Sequence, residues 1–208
     1  MIRLLAILLL GGSVLLLLGA VVHPILPLTA PGDLALIQST SYWHSIHVGL
    51  LYATGLIIAG IWSRWLAADE VERPGLGVAF VVFTMGQVLN GVNIAYMTGA
   101  GTLFAAQAHE GLAVGAFYQV SHMFAVTCGR LAGFLVALAA GLIAMATSRR
   151  AAEPRWLIGL ATVACGAGLL GNALAPPGHP LMLTSVGVMA LWQAVVAGRI
   201  LWWGGAQG

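Results

Sequence analysis

From Tyr118 to Ala146 the chain runs 29 residues with one formal charge, Arg130, and this stretch limits the folds open to it most severely. At about 1.5 Å per residue, such a helix crosses a hydrocarbon core of about 30 Å with turns to spare. A helix satisfies its own backbone hydrogen bonds, which is what lipid demands of any segment that enters it. Gly129, Gly133, Ala137 and Gly141 recur every fourth residue, so they form one ridge on that helix where a neighbour can approach closely. The stretch therefore predicts a central transmembrane helix in a tightly packed bundle.

The rest of the chain agrees. Hydrophobic residues make up 60% and charged residues 7% of the sequence, where a soluble domain carries roughly a quarter charged. The mean hydropathy is +0.97. A formal charge of +2 with no Lys/Arg patch excludes nucleic acid as a partner. Six spans are expected over 4–22, 43–65, 75–97, 118–146, 156–175 and 181–203, forming one all-α polytopic domain over 1–208. The first is read as a retained span rather than a signal peptide, because it is long and no small-x-small cleavage site follows. Short interfacial helices are expected near 33–40, with Asp33 as N-cap, and near 102–117, with Thr102 as N-cap. In the latter, Leu103, Phe104, Leu112 and Phe117 would dip into lipid.

Charge sets the orientation. Arg3, Arg64, Arg73, Arg149, Arg150, Arg155 and Arg199 fall on the side of the termini, and none falls on the opposite side. By the positive-inside rule both termini are cytoplasmic, in a multi-pass protein of the bacterial inner membrane. A seventh span at 99–117 would place Arg149, Arg150 and Arg155 outside, so the six-span scheme is preferred. A faint internal echo pairs Pro74, Gly86 and Gly91 with Pro154, Gly166 and Gly171 at equal offsets, as a duplicated unit would. Cys128 and Cys165 lie in apolar runs and read as packing residues rather than a disulfide.

That topology sends all six histidines to the outer ends of spans or to outer loops. His44 and His47 share a helix face at i, i+3, and His109, Glu110 and His122 can close over them as transition-metal ligands. Alternatively, His44 or His47 with His122 would supply the two axial imidazoles of a b-type haem. Outer histidines also arise simply because Lys and Arg are kept from that face. Arg130 is the other anomaly, since an arginine within a span costs at least about 2.5–3.5 kcal/mol on insertion scales. Its candidate partners are Gln87, Asn90, Asn93, Asn172, Gln193 and freed backbone carbonyls, a polar cluster suited to a lipid head group or a partner's acid.

No Walker loop, G-x-S-x-G, H-E-x-x-H or C-x-x-C is present, so enzymatic activity is not the leading expectation. Three functions follow. The first is an accessory subunit of a larger respiratory or photosynthetic membrane complex, with lipids and other membrane subunits as partners. The alternatives are an outward-facing His-ligated metal or haem redox protein, and a binder or transporter of a small amphiphile that uses Arg130.

Overall fold

The computed structural model describes residues 1–70, 73–148, 153–176 and 179–203; Arg149 and Arg150, used above, lie outside them. The described residues are all helical or loop, with no strand. In chain order the helices are α1 (Ile2–Val22), α2 (Ala30–Ser39), α3 (Trp43–Leu66), α4 (Arg73–Tyr96), α5 (Thr102–His109), α6 (Gly115–Thr147), α7 (Arg155–Leu169) and α8 (Pro180–Trp203). A π-helical turn, Met97–Gly101, joins α4 to α5 without a break, and a second, Leu170–Leu174, ends α7. Six helices are long and apolar enough to cross a membrane: α1, α3, the continuous α4–α5 unit, α6, α7 with its π turn, and α8.

Element ends follow from local chemistry. His23 is extended (φ −71°, ψ 122°) because Pro24 disfavours helical backbone in the residue before it, and this stops α1. Ala175, before Pro176, ends the second π turn in the same way (φ −70°, ψ 143°). The two expected caps are different in detail. Helix α2 starts at Ala30 after an extended Thr29, which places Asp33 inside the first turn rather than at the cap. Thr102 starts no new helix, because the Gly-rich stretch 97–101 is absorbed as a π turn and the Thr102 hydroxyl donates back to the Met97 carbonyl at 3.3 Å. The segment 102–117 is therefore divided: α5 continues the third span, a loop turns at Gly111 (φ +85°), and α6 begins at Gly115.

Each long helix packs beside the next in sequence, and α8 returns to α1, so the six form a closed ring. Glycines set the closest seams. A Cβ at Gly60 of α3 would strike the Leu9 backbone of α1, and one at Gly86 of α4 would meet the Ala132 carbonyl of α6 at 2.9 Å. The ridge on α6 packs within the chain: Gly129 lies against Asn93, Gly133 against Asn172, Ala137 against Gly168 and Gly141 against Cys165. Cys128 and Cys165 are both free thiols. The echo does not extend to packing, since Gly86 is crowded by α6 while nothing lies close to its counterpart Gly166.

The ring has two unlike ends. Toward the end carrying Arg64, Arg73 and Arg199, the core is dense, with Ile57, Ile61, Phe80, Phe83 and Trp192 almost fully buried. Toward the histidine end, α2 packs on α5 and the start of α6 around Leu34, Ile37, Trp43, Met97 and Tyr118, a second small core. Of the four side chains expected to meet lipid, Leu103, Leu112 and Phe117 are exposed, whereas Phe104 packs into this second core.

Candidate functional site

A cavity of about 240 Å³ lies between these two cores, and α1, α3, α4, α6, α8 and the second π turn all contribute to its wall. Four of the six histidines line it: His23, His47, His122 and His179. Two of these, His47 and His122, are among the candidates drawn from sequence. The others, His44, His109 and Glu110, are exposed and line no part of it. His23 and His179 had been read as loop residues. Each precedes a proline: Pro24 stops α1 just before His23, and Pro180 opens α8 just after His179, so both histidines sit at helix boundaries on the cavity wall.

His23 and His47 meet head to head, with Nε2 to Nε2 at 3.1 Å. The Trp43 carbonyl can only accept, so at 2.8 Å it fixes the proton of His47 on Nδ1. The Nε2 of His47 therefore carries its lone pair and faces His23. Two lone pairs cannot be left pointing at each other, so the contact is closed either by an Nε2–H of neutral His23 donating to His47 or by a metal ion in place of that hydrogen. The pair is braced by Trp43, whose ring lies 4.3 Å from that of His47 and 5.4 Å from that of His23, and whose Nε1–H donates to the Met97 carbonyl at 3.2 Å. Burial pushes the His23 pKa below its ordinary value, against a pull upward from the Pro24 carbonyl.

His122 is held differently. It is 1% exposed, and its Nδ1 stands 3.1 Å from Oδ2 of Asp33, which is fully buried. This is a close charge contact whose angle falls outside hydrogen-bond geometry. The Asp33 carboxylate is otherwise served by the Leu28 N–H at 2.8 Å and the Tyr118 hydroxyl at 3.3 Å. Leu28 takes a positive φ of 63°, an uncommon backbone for a leucine, in the loop that brings its N–H to Asp33. With Nδ1 turned to Asp33 and the Tyr96 ring parallel at 6.4 Å, His122 keeps Nε2 as its other nitrogen while lining the cavity. Asp33 thus sets one negative charge directly behind an imidazole of the cavity wall. Asp33 was not foreseen as a site residue: in sequence it reads as a helix cap in a Pro-rich loop.

The polar cluster expected around Arg130 is dispersed. Arg130 is not part of the wall of this cavity; its Nε donates to the Asn172 carbonyl at 3.0 Å and a terminal nitrogen to the Ala175 carbonyl at 2.7 Å. These are carbonyls at the end of α7, so the arginine caps a helix terminus. Asn90, Asn93 and Asn172 do line the cavity, Asn90 donating to the Thr54 hydroxyl at 3.4 Å and Asn172 to the Ser185 hydroxyl at 3.1 Å. Gln87 and Gln193 are buried away from the cavity, and Gln193 Oε1 is 3.5 Å from the Ser13 hydroxyl.

Size and spacing bear on the two cofactor expectations. A cavity of 240 Å³ falls below the range of about 300–1,000 Å³ usual for small-molecule pockets. Trans imidazoles on one metal would be about 4 Å apart at bonds of about 2.0–2.1 Å, whereas 3.1 Å corresponds to cis ligands at an angle of about 100°. Both observations favour an ion over a haem. Among the described residues no group of three or more His, Cys, Asp or Glu encloses one point, so imidazoles and carboxylates alone do not complete a metal shell. The chain matches no known protein family, no characterised protein and no solved structure.

Proposed function

We propose that this chain is a multi-pass membrane protein that binds a transition-metal ion in a histidine-lined cavity at the outer half of its bundle. His23 and His47 are the anchoring ligands. The observation that carries this reading is the 3.1 Å contact between two Nε2 atoms, one of which has its proton committed elsewhere. The cavity's size and its wall of neutral nitrogen donors suit an ion or a small hydrated complex. The distribution of arginines makes the histidine end the outer one, so the ion is exchanged with the compartment outside the cytoplasmic membrane and both termini are cytoplasmic. Exposed Leu103, Leu112 and Phe117 fit a collar resting at the outer lipid interface.

The accessory-subunit and amphiphile readings both leaned on Arg130 as a cation in need of a partner. Its guanidinium is served by carbonyls of its own chain and is absent from the cavity wall, which removes that argument. The test is metal content. Protein purified in mild detergent, stripped and reloaded with copper or zinc, is expected to hold about one ion per chain, and His47→Ala is expected to hold none. An unchanged metal content in His47→Ala, with His23→Ala behaving alike, would overturn the proposal.

A further inference from the structure

We infer that the ion is a soft monovalent metal, Cu(I), bound by His23 and His47 together with thioether sulfur from Met97 and Met182. The inference rests on the metal-binding reading above and names the ion. Its first ground is the composition of the wall. Met97 and Met182 line the same cavity as the histidine pair, and no acidic side chain lines it among the described residues. Methionine is a poor ligand for hard ions, while thioether and imidazole together select Cu(I) over Mg(II), Ca(II) or Mn(II). A thioether also explains how a shell is completed where His, Cys, Asp and Glu alone form no enclosing group.

The second ground is charge. The carboxylate against the cavity wall is Asp33, fully buried behind His122, and it brings one negative charge. In a low-dielectric site, an ion whose charge is not matched is strongly disfavoured. A monovalent ion is balanced by Asp33 alone; a divalent ion would leave one positive charge over in a wall of neutral histidines, asparagines and aliphatic groups. The third ground is placement. Met97 is the first residue of a π turn, where backbone carbonyls are released from the regular ladder, and its own carbonyl accepts from Trp43, the residue that braces both histidines. The Met97 backbone is thus tied to the residue that braces the imidazole pair.

The test titrates detergent-purified protein with Cu(I) against a chromophoric Cu(I) chelator, and separately with Zn(II) against a zinc chelator. Met97→Leu/Met182→Leu keeps side-chain size. The expected result is one Cu(I) per chain, weakened at least tenfold in the double variant with Zn(II) affinity unchanged, and sulfur scattering in the copper X-ray absorption spectrum that the variant loses. Cu(I) held equally well by the double variant, a nitrogen- and oxygen-only shell, or Zn(II) held more tightly than Cu(I) would overturn the inference while leaving a metal site in place. Binding of neither ion, or binding indifferent to His47→Ala, overturns the metal reading itself. If the double variant is poorly folded, the absorption spectrum of the unaltered protein decides the matter on sulfur alone.

Discussion

Each end of the bundle is built around one buried carboxylate, and the two are treated in opposite ways. Glu153 sits between Arg64 at 3.4 Å and Arg199 at 3.6 Å, beside a void of only about 20 Å³. Asp33 sits among a backbone N–H, a phenol and an imidazole, behind His122, which lines a void of about 240 Å³. A guanidinium is a donor only and is always charged, so it ends an electrostatic chain. An imidazole has a second nitrogen, so it passes the influence of the carboxylate onward. The first arrangement locks three helices, and the second projects a charge into a chamber. What separates a structural ion pair from a site is the identity of the partner and the empty volume next to it, more than the acid itself.

This contrast can be broken by neutralising each acid in turn. Glu153→Gln is expected to have the largest effect on stability, about 3 kcal/mol, the lower end for a broken buried pair because both distances exceed those of ideal charge-assisted bonds. It should lower the unfolding midpoint in detergent and leave the metal content of the folded fraction unchanged. Asp33→Asn is expected to cost less, about 1–2 kcal/mol, since the amide oxygen still accepts from the Leu28 N–H and the Tyr118 hydroxyl can turn to accept from the amide nitrogen that replaces the other oxygen. Its signature is a metal affinity at least tenfold weaker, measured by chelator competition. If Asn at 33 spares the metal, or Gln at 153 removes it, the two ends are not the different devices drawn here. The smallest effect is the pH response of the metal-free protein. The His23 pKa is lowered from 6.5 by burial, so the folded state prefers neutral imidazole and the unfolded chain binds more protons. Stability from this group is therefore complete above about 6.5 and declines as the pH falls below it; in His23→Gln the decline should be shallower, by thermal unfolding at pH 7.5 and 5.5.

The six long helices were legible because apolar runs are a property of sequence alone, and the expected spans agree with α1, α3, α4, α6, α7 and α8 to within a few residues at most ends. That the histidines lie near helix ends was legible too, from their positions along the apolar runs. Which histidines converge was not. His44 and His47 share one flank in sequence, yet His44 is exposed and His47 is 2% exposed, because the direction of that flank depends on how α3 meets α1. Asp33 was missed because burial by α2 and α6 is a tertiary fact that no local pattern carries. The partners of Arg130 were anticipated only as freed carbonyls in general. The particular ones arise from the π turn at 170–174, which leaves no mark in side-chain chemistry.

The order of helices around the ring has a consequence for biogenesis. Because each helix lies beside its successor, every seam but one can form as soon as the next hairpin leaves the ribosome. The exception is the contact of α1 with α8, where Ser13 and Gln193 are separated by 180 residues and meet only once α8 has been made. Until then the chamber is a trough open to lipid along one wall, and His23, carried on the end of α1, has no α8 beside it. On the metal-binding proposal, loading would thus require α8, and a chain stalled before residue 180 would carry the His23–His47 pair without the wall that α8 supplies.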